Sequence, residues 1–318
     1  MEWIAHFLGP LAPAWELFGD AWCAGALVAL CLAVPGVICL AREQIFIGAA
    51  VAQASTAGVA VGLTLLPVLA ASASQGHVHG ARQQAFAAAC AVLAAVLAAL
   101  ATTPGGRLRR GSPESRTGWV FLFSAAVSIL LLVNSPHGAH EIARLVASSV
   151  LGATAGDALL FAVVAGLTMV GGCIARDRLI LMTIDPNWAG LAGMRRSRWE
   201  YGIALWLGLV CGLAIPVTGF LFVFGCLVLP AMIARNLCRE IRRQLWVAPV
   251  IALLTTIVGF VIAHQQDWPP APVVITVLAG LVPLTWLLDQ LFSSVFTRAV
   301  PPSKTPSEPP QKHKPDAP

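Results

Sequence analysis

Between Trp22 and Thr103 the chain carries full charge at only three positions, Arg42, Glu43 and Arg82. Charge is costly in hydrocarbon, and an apolar helix of about 20 residues crosses a bilayer core of roughly 30 Å. A stretch this long with so few charges reads as successive membrane spans joined by short turns. Composition points the same way: 58% of the residues are hydrophobic and 11% charged, with a mean hydropathy of +0.79. A soluble domain carries about 25% charged residues. A soluble enzyme, a nucleic-acid-binding domain and a disulfide-stapled secreted module are therefore excluded. The expected fold class is all-α: a polytopic helical membrane protein with eight or nine transmembrane helices.

Polar punctuation predicts spans near 21–40, 44–70, 84–102, 118–133, 142–175, 199–215, 216–234, 246–263 and 273–292. The sixth and seventh are short and separated only by Gly212, Pro216 and Gly219, so they form two crossings or one crossing with a broken return. Charge discriminates between the two. With Arg42 cytoplasmic and nine alternating crossings, 18 of the 20 basic residues fall inside, leaving only Arg82 and Arg144 outside. This follows the positive-inside rule. Merging the pair would move Arg235, Arg239, Arg242 and Arg243 outward. Nine crossings put the N-terminus outside and the C-terminus in the cytoplasm of a multi-pass inner (plasma) membrane protein. The net charge of +5 then reflects orientation, with no need for a nucleic-acid partner. The expected organisation is an outer N-terminal segment (1–20), a transmembrane domain (21–292) and a disordered, Pro-rich cytoplasmic tail (293–318) able to touch membrane lipid.

The eight cysteines are scattered singly with no CxxC pair, and read as small buried hydrophobes. Six of the seven histidines fall on the predicted outer face: His6, His77, His79, His137, His140 and His264. Imidazole is the commonest metal-ligating side chain, although wet loops also tolerate histidine. GRLRRGSPESR lacks the GxxxxGK[ST] spacing of a phosphate loop. No Ser/His/Asp set or carboxylate pair suggests hydrolysis either. The chain is expected not to be an enzyme and to hold no cofactor of its own.

Three stretches carry a pattern. AREQIFIGAAVAQASTAGVAVGLTL (41–65) is an unusually slim helix, with Gly48, Ala49, Ala50, Ala52, Ala54, Ser55, Ala57 and Gly58. Small residues either let helices approach closely or leave room for a pathway. SRWEYGIALWLGLVCGLAIPVTGFLFVFGCLVLPAMIARNL (197–237) joins two apolar helices through a glycine-containing break and ends in Pro230, Ala231 and Arg235. GFVIAHQQDWPPAPVVITVLAG places Asp267, Pro269 and Pro272 before the last span. In this order the three resemble the integral-membrane permease subunit of zinc/manganese-type ABC importers, over roughly residues 20–292.

The resemblance implies several roles. In that family the loop between the fifth and sixth segments forms a short helix that docks on the ATPase. Here Asp185, Pro186, Asn187, Trp188, Ala189, Leu191 and Gly193 occupy it, and Asp-Pro is a suitable helix start. An ordinary connecting loop is the alternative. The family also places Asp after the glycine of the second helix and His one turn later, a pair able to ligate Zn²⁺ or Mn²⁺. Those positions are Ala49 and Gln53 here, so the central site is not carried over. Gln53 and Ser55, with Asp157 in the fifth span, are the remaining pathway candidates. If ligands have moved, His77 with His79, or His137, His140 and Glu141, could hold the ion; solvated loops are the alternative.

The expected function is the membrane-spanning permease subunit of an ABC importer for a divalent transition metal (zinc, manganese or iron). ATP would be bound by a partner ATPase that drives alternating access. The further partners implied are an extracytoplasmic metal-binding protein and a second copy in a homodimer. Two alternatives stand beside it: an ion-coupled secondary transporter, and a non-transporting scaffold descended from a permease.

Overall fold

The computed structural model describes residues 11–72, 80–103, 112–133, 150–184 and 194–299. Within them the chain forms nine helices long and apolar enough to cross a membrane, and no strand. They are α1 (Leu11–Ala41), α2 (Phe46–Ser72), α3 (Gly80–Thr102), α4 (Pro113–Val133), α5 (Ala155–Ile184), α6 (Arg196–Thr218), α7 (Phe220–Leu237), α8 (Ile241–Gln265) and α9 (Pro270–Ala299). Lipid offers no hydrogen bonds, so a spanning backbone must satisfy its own N–H and C=O groups, as helices do. Hydroxyls inside the spans follow the same logic. Thr56, Thr102, Thr168 and Thr218 each donate to the carbonyl four residues back, at 2.8 to 3.2 Å. Pro35, Pro216, Pro230, Pro249 and Pro283 all sit within helices.

Two helices organise the bundle. α1 packs against α5, α7 and α8, while α2 packs against α3, α4 and α6. α7 bridges the two halves by touching both α1 and α2. The core is built from side chains such as Leu32, Val37, Leu207, Ile215, Phe222 and Leu227. Helices that gain little from apolar burial in lipid associate through close backbone approach. At Gly36 of α1 an added Cβ would land on the Leu227 carbonyl oxygen of α7. At Gly58 of α2 it would overlap the backbone of Cys90 and Ala91 in α3.

The sixth and seventh spans are separate crossings, and the break falls at one residue. Gly212 and Pro216 remain inside α6, whereas Gly219 adopts φ 81° and ψ 167°, a region open essentially to glycine alone. The fifth span differs from expectation at its basic end. α5 continues through Arg176, Asp177 and Arg178 to Ile184 instead of stopping at 175. Nothing in those three residues breaks a helix, and Arg side chains reach the interface from a continuing helix.

Replacing Gly36 by Ala is expected to cost about 3 kcal/mol by overpacking the α1–α7 contact. The readout is a fall in the thermal unfolding midpoint of the purified chain in detergent. Gly280→Ala, whose new methyl meets no atom within 4 Å, should not lower it.

Candidate functional site

The α1–α2 turn begins the site. Glu43 takes φ 57°, its N–H donates to the Leu40 carbonyl (3.0 Å), and the Gln44 N–H reaches the Cys39 carbonyl (2.9 Å). This pair of bonds closes a helix through a left-handed residue, a place usually held by glycine. The tight turn starts α2 only a few residues after α1 ends. It also leaves Arg42 at the α1–α2 end of the bundle, where a guanidinium nitrogen lies 3.5 Å from Oε1 of Glu200.

Glu200 is 2% exposed and lies in the first turns of α6, shortly after residues 185–193. A carboxylate this deep needs a countercharge, because removing one partner of a buried pair leaves the other charge unpaired. Beside it, the Arg178 guanidinium of α5 sits 5.9 Å from the centroid of the Trp199 ring. Together these contacts tie the end of α5 and the start of α6 to the turn from which α2 springs. The sequence reading missed Glu200. Its signal was a lone acid just beyond the Arg195–Arg198 cluster, at the head of an otherwise uncharged run.

Along α2, Ala49 is buried with no donor to offer, and Gln53 is half-buried. The Gln53 amide donates to the Ser128 hydroxyl of α4 at 3.4 Å, and that hydroxyl donates to the Ala125 carbonyl at 2.9 Å. Ser128 belongs to a buried face of α4 that also holds Thr117 and Ser124. Gln53 is therefore drawn into an α2–α4 seam. Ser55 is fully buried, and its hydroxyl has no hydrogen-bond partner among the described residues. Thr256 of α8 is in the same position.

Asp157 is engaged at a helix start. Its carboxylate accepts from the Thr154 backbone N–H (2.9 Å) and from the Thr154 hydroxyl (2.8 Å). The Asp157 N–H points back to the Thr154 hydroxyl at 3.4 Å, which completes a reciprocal cap on α5. α5 packs on α1, not on α2, so Asp157 is not brought together with Gln53 and Ser55. Asp267 likewise ends α8 with φ 51°, while the Trp268 N–H reaches the Ala263 carbonyl at 2.9 Å. The other candidates, His77, His79, His137, His140, Glu141 and the segment from Asp185 to Gly193, lie outside the described residues. Among the described residues no three His, Cys, Asp or Glu side chains are gathered as a metal cluster would require.

The profile of the ABC 3 transport family matches residues 14–288. The chain is 26% identical over 116 residues to the chelated iron transport system membrane protein YfeD of Yersinia pestis, which covers 36% of this chain and 39% of that protein. It is 22% identical over 154 residues to a probable iron transport system membrane protein of Haemophilus influenzae, covering 48% of this chain and 56% of that one. The matched stretch thus spans about two-fifths to just over half the length of these curated relatives. Among solved structures, PsaBC from Streptococcus pneumoniae in complex with Fab shares the fold. It aligns with a TM-score of 0.70 at 16% identity, covering 89% of this chain and 95% of that chain.

Glu200→Ala should destabilise the chain by about 3 kcal/mol, since it strands the Arg42 charge at a largely buried position. Adding Arg42→Ala should recover most of that loss. Chemical or thermal unfolding of the two variants in detergent reads the difference.

Proposed function

The chain belongs to the ABC 3 transport family, and we propose that it is the membrane-spanning subunit of an ABC importer for a divalent transition metal: zinc, manganese or iron. A separate ATPase binds and hydrolyses ATP, and an extracytoplasmic binding protein delivers the cargo. Two copies of the chain form the gated passage. The exposed stripe of Leu159, Leu160 and Val163 on the half of α5 nearest Asp157 offers the second copy an apolar face.

The observation that carries this reading is the buried Arg42–Glu200 pair. An ATPase seated on residues 185–193 moves the end of α5 and the start of α6. Glu200 passes that displacement to Arg42, and Arg42 to the turn that sets the position of α2. Helix α2, with Gln53 and Ser55, is then the element shifted between outward and inward access. Supporting this, the pair joins residues far apart in sequence, within the end of the bundle that carries the basic residues. By the positive-inside rule, that end is cytoplasmic.

The cargo is handled with few protein ligands in α2. Ala49 provides none and Gln53 a neutral amide, so the ion crosses hydrated or as a chelate instead of being stripped by an Asp/His pair. A bare divalent ion would otherwise face a large desolvation cost. One observation favours a second reading, a non-transporting scaffold: the Gln53 amide is already bonded to Ser128. Coupling to a proton or ion gradient has less support, because Asp157 is committed to its helix cap.

Vesicles holding the chain with its ATPase should accumulate iron, manganese or zinc only when ATP is supplied, and not in response to a proton gradient alone. Absence of accumulation of all three by an intact complex would reject the transport reading. The double variant Ala49→Asp with Gln53→His is expected to change the order of preference among the metals by about tenfold. A scaffold would gain no transport from it.

A further inference from the structure

A groove of about 400 Å³ lies between α1, α5 and α6. Its walls are apolar, formed by Val34, Ile38, Leu167, Leu179, Ile203 and Trp206. The Trp206 indole and the Thr168 hydroxyl satisfy one another at 3.1 Å. Nothing along these walls could replace the hydration shell of a divalent cation, so the groove is unsuited to the cargo. Gly171 and Gly202 keep the slot open, and a Cβ on either would meet no atom within 4 Å.

Its dimensions and charge fit a different occupant. From Leu167 to Leu179 the groove follows α5 for about 18 Å, close to half of a hydrocarbon core of roughly 30 Å. It is therefore about one leaflet deep. Polarity changes at one end only. Arg198 lines the mouth there, and Arg178 lies over Trp199 beside it. Arg198 has no ion-pair partner among the described residues. An apolar slot one leaflet long with guanidinium groups at its interfacial end matches one acyl chain below one phosphate. The cytoplasmic leaflet, where the positive-inside rule puts this end, is the anionic one.

We propose that the groove is a binding site for an anionic glycerophospholipid of the cytoplasmic leaflet. One acyl chain lies along α5 and α6, and the phosphate is held by Arg198 and Arg178. A bound lipid here fills the space beside Trp199, the residue before Glu200, so it stiffens the part of the bundle through which movement of α6 reaches α2. This goes beyond the transport reading, and lipid retention needs neither ATPase nor cargo, so the two stand or fall separately.

The test uses the full chain in detergent, titrated with phosphatidylglycerol or phosphatidylcholine and read by native mass spectrometry. The native chain is expected to retain one phosphatidylglycerol at least tenfold more tightly than phosphatidylcholine. Arg198→Ala should weaken that retention about fivefold. Gly202→Leu, which fills the slot, should reduce it at least tenfold. Equal retention of the two lipids, or unchanged retention in both variants, overturns the proposal. So does ready disulfide cross-linking of two copies through Gly202→Cys, which would make a second copy the occupant. Should Gly202→Leu fail to fold, Arg198→Ala with the lipid comparison still decides.

Discussion

Close backbone contact is what this bundle depends on. In lipid, neighbouring hydrocarbon is as apolar as any leucine, so helices are held by how nearly their backbones can meet. Gly36 lets α1 reach the backbone of α7, and Gly58 lets α2 reach that of α3. These two contacts seat the central helices, and the other spans are arranged around them. The slimness of α2 follows from this role. Its small residues are occupied by neighbouring helices: Gly48 lies against Leu227 and Phe224, and Gly62 against Ala87.

Against that apolar background, the few fixed charges carry unusual weight. Most lie in a band at one end, where Arg176 and Arg242 both pair with the exposed Asp177. Exposed pairs of that kind contribute little. Arg42 and Glu200 differ because the carboxylate is enclosed, so their separation cannot be compensated by water. A displacement of α6 that keeps the pair intact must take the α1–α2 turn with it. The turn itself is short and held by two backbone bonds, so it transmits movement instead of absorbing it.

Much of the architecture was legible in charge and hydropathy alone. The crossings could be read because lipid imposes a length and excludes charge, and the count of nine followed from placing Arg235–Arg243 on the same side as Arg42. Helix ends were less legible. α5 runs past Arg176 because a charged residue does not stop a helix, and the α6–α7 break chose Gly219 over Gly212 and Pro216 because only that position required a glycine-specific backbone. The candidate site was less legible still. Asp157 stood out as an acid in an apolar span, yet Thr154 three residues earlier already marked it as half of a reciprocal cap. Glu200 was overlooked because nothing local shows that Arg42, 158 residues away, will lie beside it. Pairings across such distances come from packing, which the order of residues does not display.

The single-residue link at Gly219 bears on how the protein is made. Between α6 and α7 there is no hydrophilic loop to deliver across the bilayer, and Thr218 and Gly219 are themselves enclosed by the bundle. The two spans can therefore enter the membrane together as one hairpin during synthesis. The basic cluster from Arg235 to Arg243 follows the second span, and Gly219, in a backbone region that glycine adopts freely, marks the fold-point of the hairpin.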